Sequence, residues 1–167
     1  MQINLKLNGK LIKEEIADEL LLIDFVRKHG CYSVKRGCET ANCGLCTVFL
    51  GWKTGPFLFT SGSQSQWKRS DHSGRSSGRS REIGSFVANQ GAEQCGFCNP
   101  GFVMNAIALF RENPYPDEAE IKEFLSGNLC RCSGYEGQLR GILDYLKVKK
   151  AKEASVENKE NIAEEVK

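Results

Sequence analysis

The sequence predicts an α+β chain, with a small strand-and-helix unit over residues 1–82 and a helical unit over 83–146. Three observations carry this. Apolar residues alternate at the N-terminus and halt at Asn8-Gly9. After Glu82 the apolar spacing changes from two to three or four. The cysteines fall between these elements, in two groups.

Ile3, Leu5 and Leu7 alternate, as one buried face of a strand requires. Asn8-Gly9 suits a tight hairpin, so a second strand is expected around Leu11 to Ile16. Asp18 stands where a helix cap would. Leu21, Leu22, Phe25 and Val26 share one helical face, and Gly30 ends it. His29 is then a helix C-terminal residue. Thr47 to Leu50 is a short strand. In the second unit Ile83, Phe86 and Val87 form a face, stopped by Gly91. Pro100 suits a first helical turn, ahead of the stripe Phe102, Val103, Ala106, Ile107 and Phe110. Asp117 and Glu120 have capping-box spacing before Ile121, Phe124 and Leu125, with Gly127 as the stop. Leu139, Ile142, Leu143 and Leu146 mark a fourth helix. Residues 147–167 are charged, with few apolar residues, and read as a solvated, frayed tail. The apolar stripes are core; they organise the cysteines.

Eight cysteines in 167 residues are dense. The N-terminus lacks the apolar stretch of a signal peptide, and no run of about eighteen apolar residues exists. The cysteines are therefore expected in a cytoplasmic, reducing setting, available to metal. A net charge of +2 gives no nucleic-acid footprint.

Cys38, Cys43 and Cys46 stand at C-x4-C-x2-C, the spacing of a plant-type [2Fe–2S] site, which needs four thiolates. Cys95-x2-Cys98 precedes a helix, and Cys130-x-Cys132 follows the next. Two neighbouring helix ends would bring four sulfurs together. Helix N-termini and backbone N–H groups favour the anionic cluster, and Gly96, Gly101, Gly127 and Gly134 would let backbone approach the sulfurs. Zinc also binds paired cysteines. C-x-C is uncommon in zinc ribbons, and C-x4-C-x2-C suits zinc poorly, so spacing favours iron–sulfur over zinc or disulfides. Cys31 fits neither group and reads as a small buried apolar residue. His29 and His72 share no metal-ligand spacing.

"SVKRGCETANCGLCTVFL", "GAEQCGFCNPGF" and "LSGNLCRCSGY" resemble the iron–sulfur subunit of molybdenum hydroxylases, the xanthine dehydrogenase, aldehyde oxidoreductase and carbon monoxide dehydrogenase family. The likeness spans most of residues 1–146. It implies an N-terminal β-grasp ferredoxin-like domain followed by a C-terminal four-helix [2Fe–2S] domain, each holding one cluster. It implies electrons passing from a molybdopterin-binding large subunit, through the C-terminal and then the N-terminal cluster, to an FAD-binding medium subunit. The metal ligands implied are Cys38, Cys43, Cys46, Cys95, Cys98, Cys130 and Cys132, with Gln94 and Cys132 against the pterin. The purine or xanthine branch is expected. The same subunit serving an aldehyde, nicotinate or carbon monoxide dehydrogenase, a free electron carrier and a zinc-binding interaction module are the other readings.

The resemblance places a fourth N-terminal cysteine at position 58, where this chain has Leu58. The surroundings are anomalous. Residues 51–81 hold six cations against one anion, so they carry +5 and leave −3 for the rest. They hold both tryptophans and eight serines, but no Ile, Val, Ala or Glu. A displaced reading frame accounts for this. Joining the last two bases of each codon to the first of the next forces glycine from Trp52 into Lys53. With allowed codons, Gly51 to Thr60 yields Asp-Gly-Lys-Pro-Val-Leu-Ser-Cys-Ser, the cysteine arising at Leu58. Asp71 to Ser77 yields Thr-Thr-Leu-Glu-Gly-Leu. Both strings resemble the family's text. The alternative is a genuine Ser/Gly/Arg-rich insertion. As written, the N-terminal cluster has three of four ligands, and residues 51–81 are expected to be poorly ordered and to leave the sheet incomplete.

Overall fold

The computed structural model describes residues 2–50, 53–56, 69–71 and 77–165. β1 (Gln2–Leu7) and β2 (Lys10–Glu15) form an antiparallel hairpin, with Leu7 opposite Lys10. Asn8 and Gly9 both take positive φ, 50° and 82°, the pair a two-residue turn of this hand requires. Ile3, Leu5 and Leu7 are buried, and the residues between them are exposed. α1 (Leu22–Lys28) lays Leu22, Ile23, Phe25 and Val26 into the same core. Its N-cap is Leu21, without a side-chain cap bond, so Asp18 does not cap it. The chain turns before the helix instead, where the Leu20 N–H donates to the Ala17 carbonyl at 3.1 Å. His29 is the C-cap, as expected.

β3 (Thr47–Leu50), β4 (Lys53–Pro56) and β5 (Arg69–Asp71) complete a five-stranded sheet of order β2-β1-β5-β3-β4. β5 runs parallel to β1 and antiparallel to β3. This corrects the expectation that residues 51–81 leave the sheet incomplete. A ladder is made of main-chain hydrogen bonds, so seven residues poor in apolar side chains still pair when neighbours supply the core. Val48 and Phe49 of β3 do so, at 2% and 1% exposure. The expectation of poor order for 51–52, 57–68 and 72–76 lies outside the described residues, and Leu58 with it.

The helical part begins earlier than the apolar pattern suggests. α2 (Ser77–Asn89) starts six residues before Ile83, in a stretch whose Ser and Arg residues carry no apolar signal. α3 (Asn99–Glu112) has Pro100 in its first turn, and its stripe is buried. α4 (Glu118–Leu125) opens on the capping box of Asp117 and Glu120 and ends at Ser126, just before Gly127. α5 (Tyr135–Glu165) does not fray at residue 147 but runs on, with residues 151–155 exposed. Lys, Glu and Ala are good helix formers, and no Gly or Pro follows Gly141. Lys152 also pairs with Glu82 at 3.0 Å.

Two large apolar cores result among the described residues. One lies between the hairpin, α1 and β3. The other joins Ile83, Phe102, Met104, Ile107, Ile121, Ile142 and their neighbours from the four helices. Phe49 of β3 belongs to the second, with the Arg111 guanidinium 3.9 Å over its ring. The two halves meet backbone to backbone: a Cβ at Gly101 would stand 2.4 Å from the Gly44 carbonyl oxygen and 2.9 Å from the Leu45 Cα.

Candidate metal centres

The seam between the cores is where the cysteines gather. Cys43, Leu45, Cys98 and Cys130 form one buried cluster, with Cys38 and Cys132 packed on it. The Leu129 N–H donates to the Cys43 carbonyl at 3.0 Å. The Asn105 amide donates to Thr47 Oγ1 at 3.2 Å and to Asn128 Oδ1 at 2.7 Å. Thr47 and Asn128 are themselves buried, and these bonds satisfy them.

In the helical half the sulfurs stand in pairs. Cys95 and Cys132 are 3.5 Å apart on the exposed side. Cys98 and Cys130 pair on the buried side. Helix geometry produces this: Cys98 is the N-cap of α3, and Cys130 and Cys132 sit in the loop between α4 and α5. Burial, then the neighbouring Cys130 sulfur, push the Cys98 thiol up. Cys130 is pulled down overall. Burial alone would raise it, but the Gly134 and Cys132 N–H groups, then the Cys98 thiol and the Ser133 N–H, outweigh that. The Phe97 N–H, then the Cys132 thiol, lower Cys95. Ser133 adopts φ 57°, which turns successive N–H groups toward one point, an anion-binding concavity.

The N-terminal loop repeats the device. Ala41 adopts φ 57°, and the Cys38 thiol is lowered to about 6, first by the Thr40 N–H and then by the Cys43 thiol. Burial raises Cys43. Cys46 packs in the sheet-side core with Cys31, Val34 and Val48. Cys31 is 2% exposed, accepts from the Asn8 amide at 3.4 Å, and has its thiol raised by burial. That matches its reading as a buried apolar residue.

The glycines act more selectively than expected. At Gly134 a Cβ would meet the Ala92 carbonyl oxygen at 2.8 Å and the Cys130 sulfur at 3.7 Å. Gly101 admits the Gly44–Leu45 backbone rather than a sulfur, and Gly127 faces open space. Gln94 and Cys132, paired by the resemblance alone, are neighbours: the Gln94 amide donates to the Cys132 carbonyl at 3.0 Å. Phe97 beside them is 44% exposed. Sequence reasoning missed Gln138, whose amide reaches the Cys98 sulfur at 3.5 Å.

Paired cysteine sulfurs with backbone N–H groups aimed at them fit an anionic two-iron cluster. Among the described residues no three His, Cys, Asp or Glu side chains form a single-ion site. None of the described helices is long and apolar enough to cross a membrane.

Comparison with known proteins agrees with this chemistry. A family profile described as "[2Fe-2S] binding domain" matches residues 72–143. The chain is 37% identical over 136 residues to the nicotinate dehydrogenase small FeS subunit of Eubacterium barkeri, covering 80% of this chain and 87% of that one. It is 35% identical over 133 residues to the xanthine dehydrogenase iron-sulfur-binding subunit of Escherichia coli O157:H7, covering 77% and 83%. Among solved structures, quinoline 2-oxidoreductase from Pseudomonas putida 86 superposes with a TM-score of 0.80 at 29% identity, over 90% of this chain and 96% of that chain. A [2Fe–2S]-type sulfur arrangement and matches along nearly the whole length of small FeS subunits lead to one conclusion: the chain belongs to the iron–sulfur small subunits of the molybdenum hydroxylase family.

Proposed function

We propose that this chain is the electron-transfer subunit of a purine- or xanthine-type molybdenum hydroxylase, seated in the cytoplasm between a molybdopterin-binding large subunit and an FAD-binding medium subunit. The observation that carries the reading is the double pair Cys95/Cys132 and Cys98/Cys130, held at helix ends with N–H groups turned toward it. These four cysteines would hold one [2Fe–2S] cluster. Cys38, Cys43 and Cys46 would supply three of the four ligands of a second, the position of the fourth being Leu58 in this chain. When bound, such clusters supply one-electron redox capacity at potentials that their surroundings set.

The chain's own residues do the placing. The exposed Cys95, with Phe97 and the Gln94 amide fixed on Cys132, presents a surface toward the pterin. Leu45 shares one buried cluster with sulfurs of both groups. The domains follow as a β-grasp ferredoxin-like unit over 1–82, a four-helix unit over 83–146 and a charged extension over 147–167. α2 (Ser77–Asn89) then spans the proposed boundary between the first two units. The xanthine branch draws support from likeness of the loops and from the Escherichia coli relative. Nicotinate is the second reading, favoured by the 37% identity to the Eubacterium barkeri subunit.

The test is anaerobic purification of the tagged chain from its native cells, with metal analysis, visible and EPR spectra, and turnover on xanthine and nicotinate. We expect two larger subunits carrying molybdenum and FAD, and a [2Fe–2S] spectrum. Cys130→Ser should abolish one of its components. Iron near about four per chain means two clusters; near about two, that the N-terminal one lacks its fourth donor. A colourless chain holding zinc would overturn the proposal.

A further inference from the structure

Three polar side chains are buried among the described residues: Thr47, Asn128 and Gln138. Thr47 donates to the Gly44 carbonyl at 2.8 Å, and the Asn128 amide donates to the Leu125 carbonyl at 3.3 Å. Gln138 differs, because its amide donates to a sulfur. It lies in the first turn of α5 at 2% exposure, its own N–H bonded to the Gly134 carbonyl at 2.8 Å. Its Nε2 stands 3.5 Å from the Cys98 Sγ.

A neutral thiol is a weak acceptor and compensates poorly for stripping water from an amide. A thiolate is a strong one, because a hydrogen bond to an ionised acceptor is about twice as strong as a neutral one. The placement is therefore favourable when the Cys98 sulfur carries charge, and more so as that charge grows. Close packing holds the amide in place. A Cβ at Gly137 would meet the Ala92 Cβ at 2.8 Å, and one at Gly141 the Val87 Cα at 2.7 Å, so the start of α5 is pressed against α2 and the residues after it.

We propose that Gln138 is a positioning residue that sets the reduction potential of the C-terminal cluster, its amide N–H donating to the Cys98 sulfur and favouring the reduced form. This rests on Cys98 being a ligand of that cluster. One added electron increases the negative charge shared with the sulfurs, and the N–H answers it without moving. No bond forms or breaks. The donor also sits on the buried pair, away from the exposed Cys95, so it acts where water does not compete.

The experiment is a dithionite-poised EPR titration of the C-terminal cluster in the purified complex, comparing wild type with Gln138→Met and Gln138→Leu. Both variants keep bulk and remove the donor. We expect iron content to hold and the midpoint to fall, with the reduced-to-oxidised ratio at fixed potential dropping about tenfold, ~59 mV for a one-electron couple. An unchanged midpoint with the cluster intact overturns this proposal alone. A wild type without a C-terminal cluster overturns the ligand reading beneath it as well. A second measurement does not depend on how the Gln138 variants fold. Chain carrying glutamine labelled with 15N in the side chain, in a Gln94→Asn background, should show a 15N coupling in pulsed EPR of the reduced cluster. Absence of that coupling overturns the proposal.

Discussion

The Asp117 carboxylate accepts from the Glu120 N–H at 2.8 Å, and Glu120 Oε2 accepts from the Asp117 N–H at 2.8 Å. Two N–H groups that the first turn of α4 would leave without partners are thus satisfied by side chains three residues apart. Asp117→Ala should cost about 1 kcal/mol, read as a lower urea midpoint at unchanged slope. This pair was legible in the sequence because both partners lie within one turn. Gln138 was not, because the sulfur it serves lies forty residues away. In the linear text it is one more polar residue near a helix start. Asp18 shows the opposite failure, since a residue of the right type stood near a helix that starts three residues later than that cap implies.

Among the elements, α2 and α5 depend on small residues at their contact. Gly137 and Gly141 fall one turn apart on α5, and the Val87 backbone fills the space that a Cβ at Gly141 would need. Gly84 of α2 has nothing within 4 Å of such a Cβ. The two substitutions should therefore have opposite signs. Gly84→Ala should stabilise by about 0.5–1 kcal/mol, through helix propensity alone. Gly141→Ala should destabilise by about 1–3 kcal/mol, because backbone must shift to admit it. Thermal melts of the two variants under identical metal loading would check this. Local pattern revealed both helices, but not which of their glycines is needed. β4 and β5 mark the same limit among strands: their pairing is main-chain work, which side-chain alternation does not announce.

Taken whole, the molecule is two cores closed over a seam of sulfurs, small residues and buried amides. The fold and the proposed clusters should therefore be coupled. Removing iron with a chelator under reducing conditions should lower Tm by roughly 10 °C, the effect of about 4 kcal/mol lost from a chain of this size. An unchanged melting profile would mean that the seam holds without metal. The α+β order, the apolar faces, the two cysteine groups and the family likeness were legible in the amino-acid sequence. Each of these is a matter of local spacing, or of identity at a position, and survives in a one-dimensional text. Packing, by contrast, sets Cys95 against Cys132 and Cys98 against Cys130, lets Gly101 admit the Gly44 backbone, and brings the Gln138 amide to a sulfur. These depend on distances between segments up to some sixty residues apart, set by how helices and sheet pack around their cores rather than by any residue's own preference.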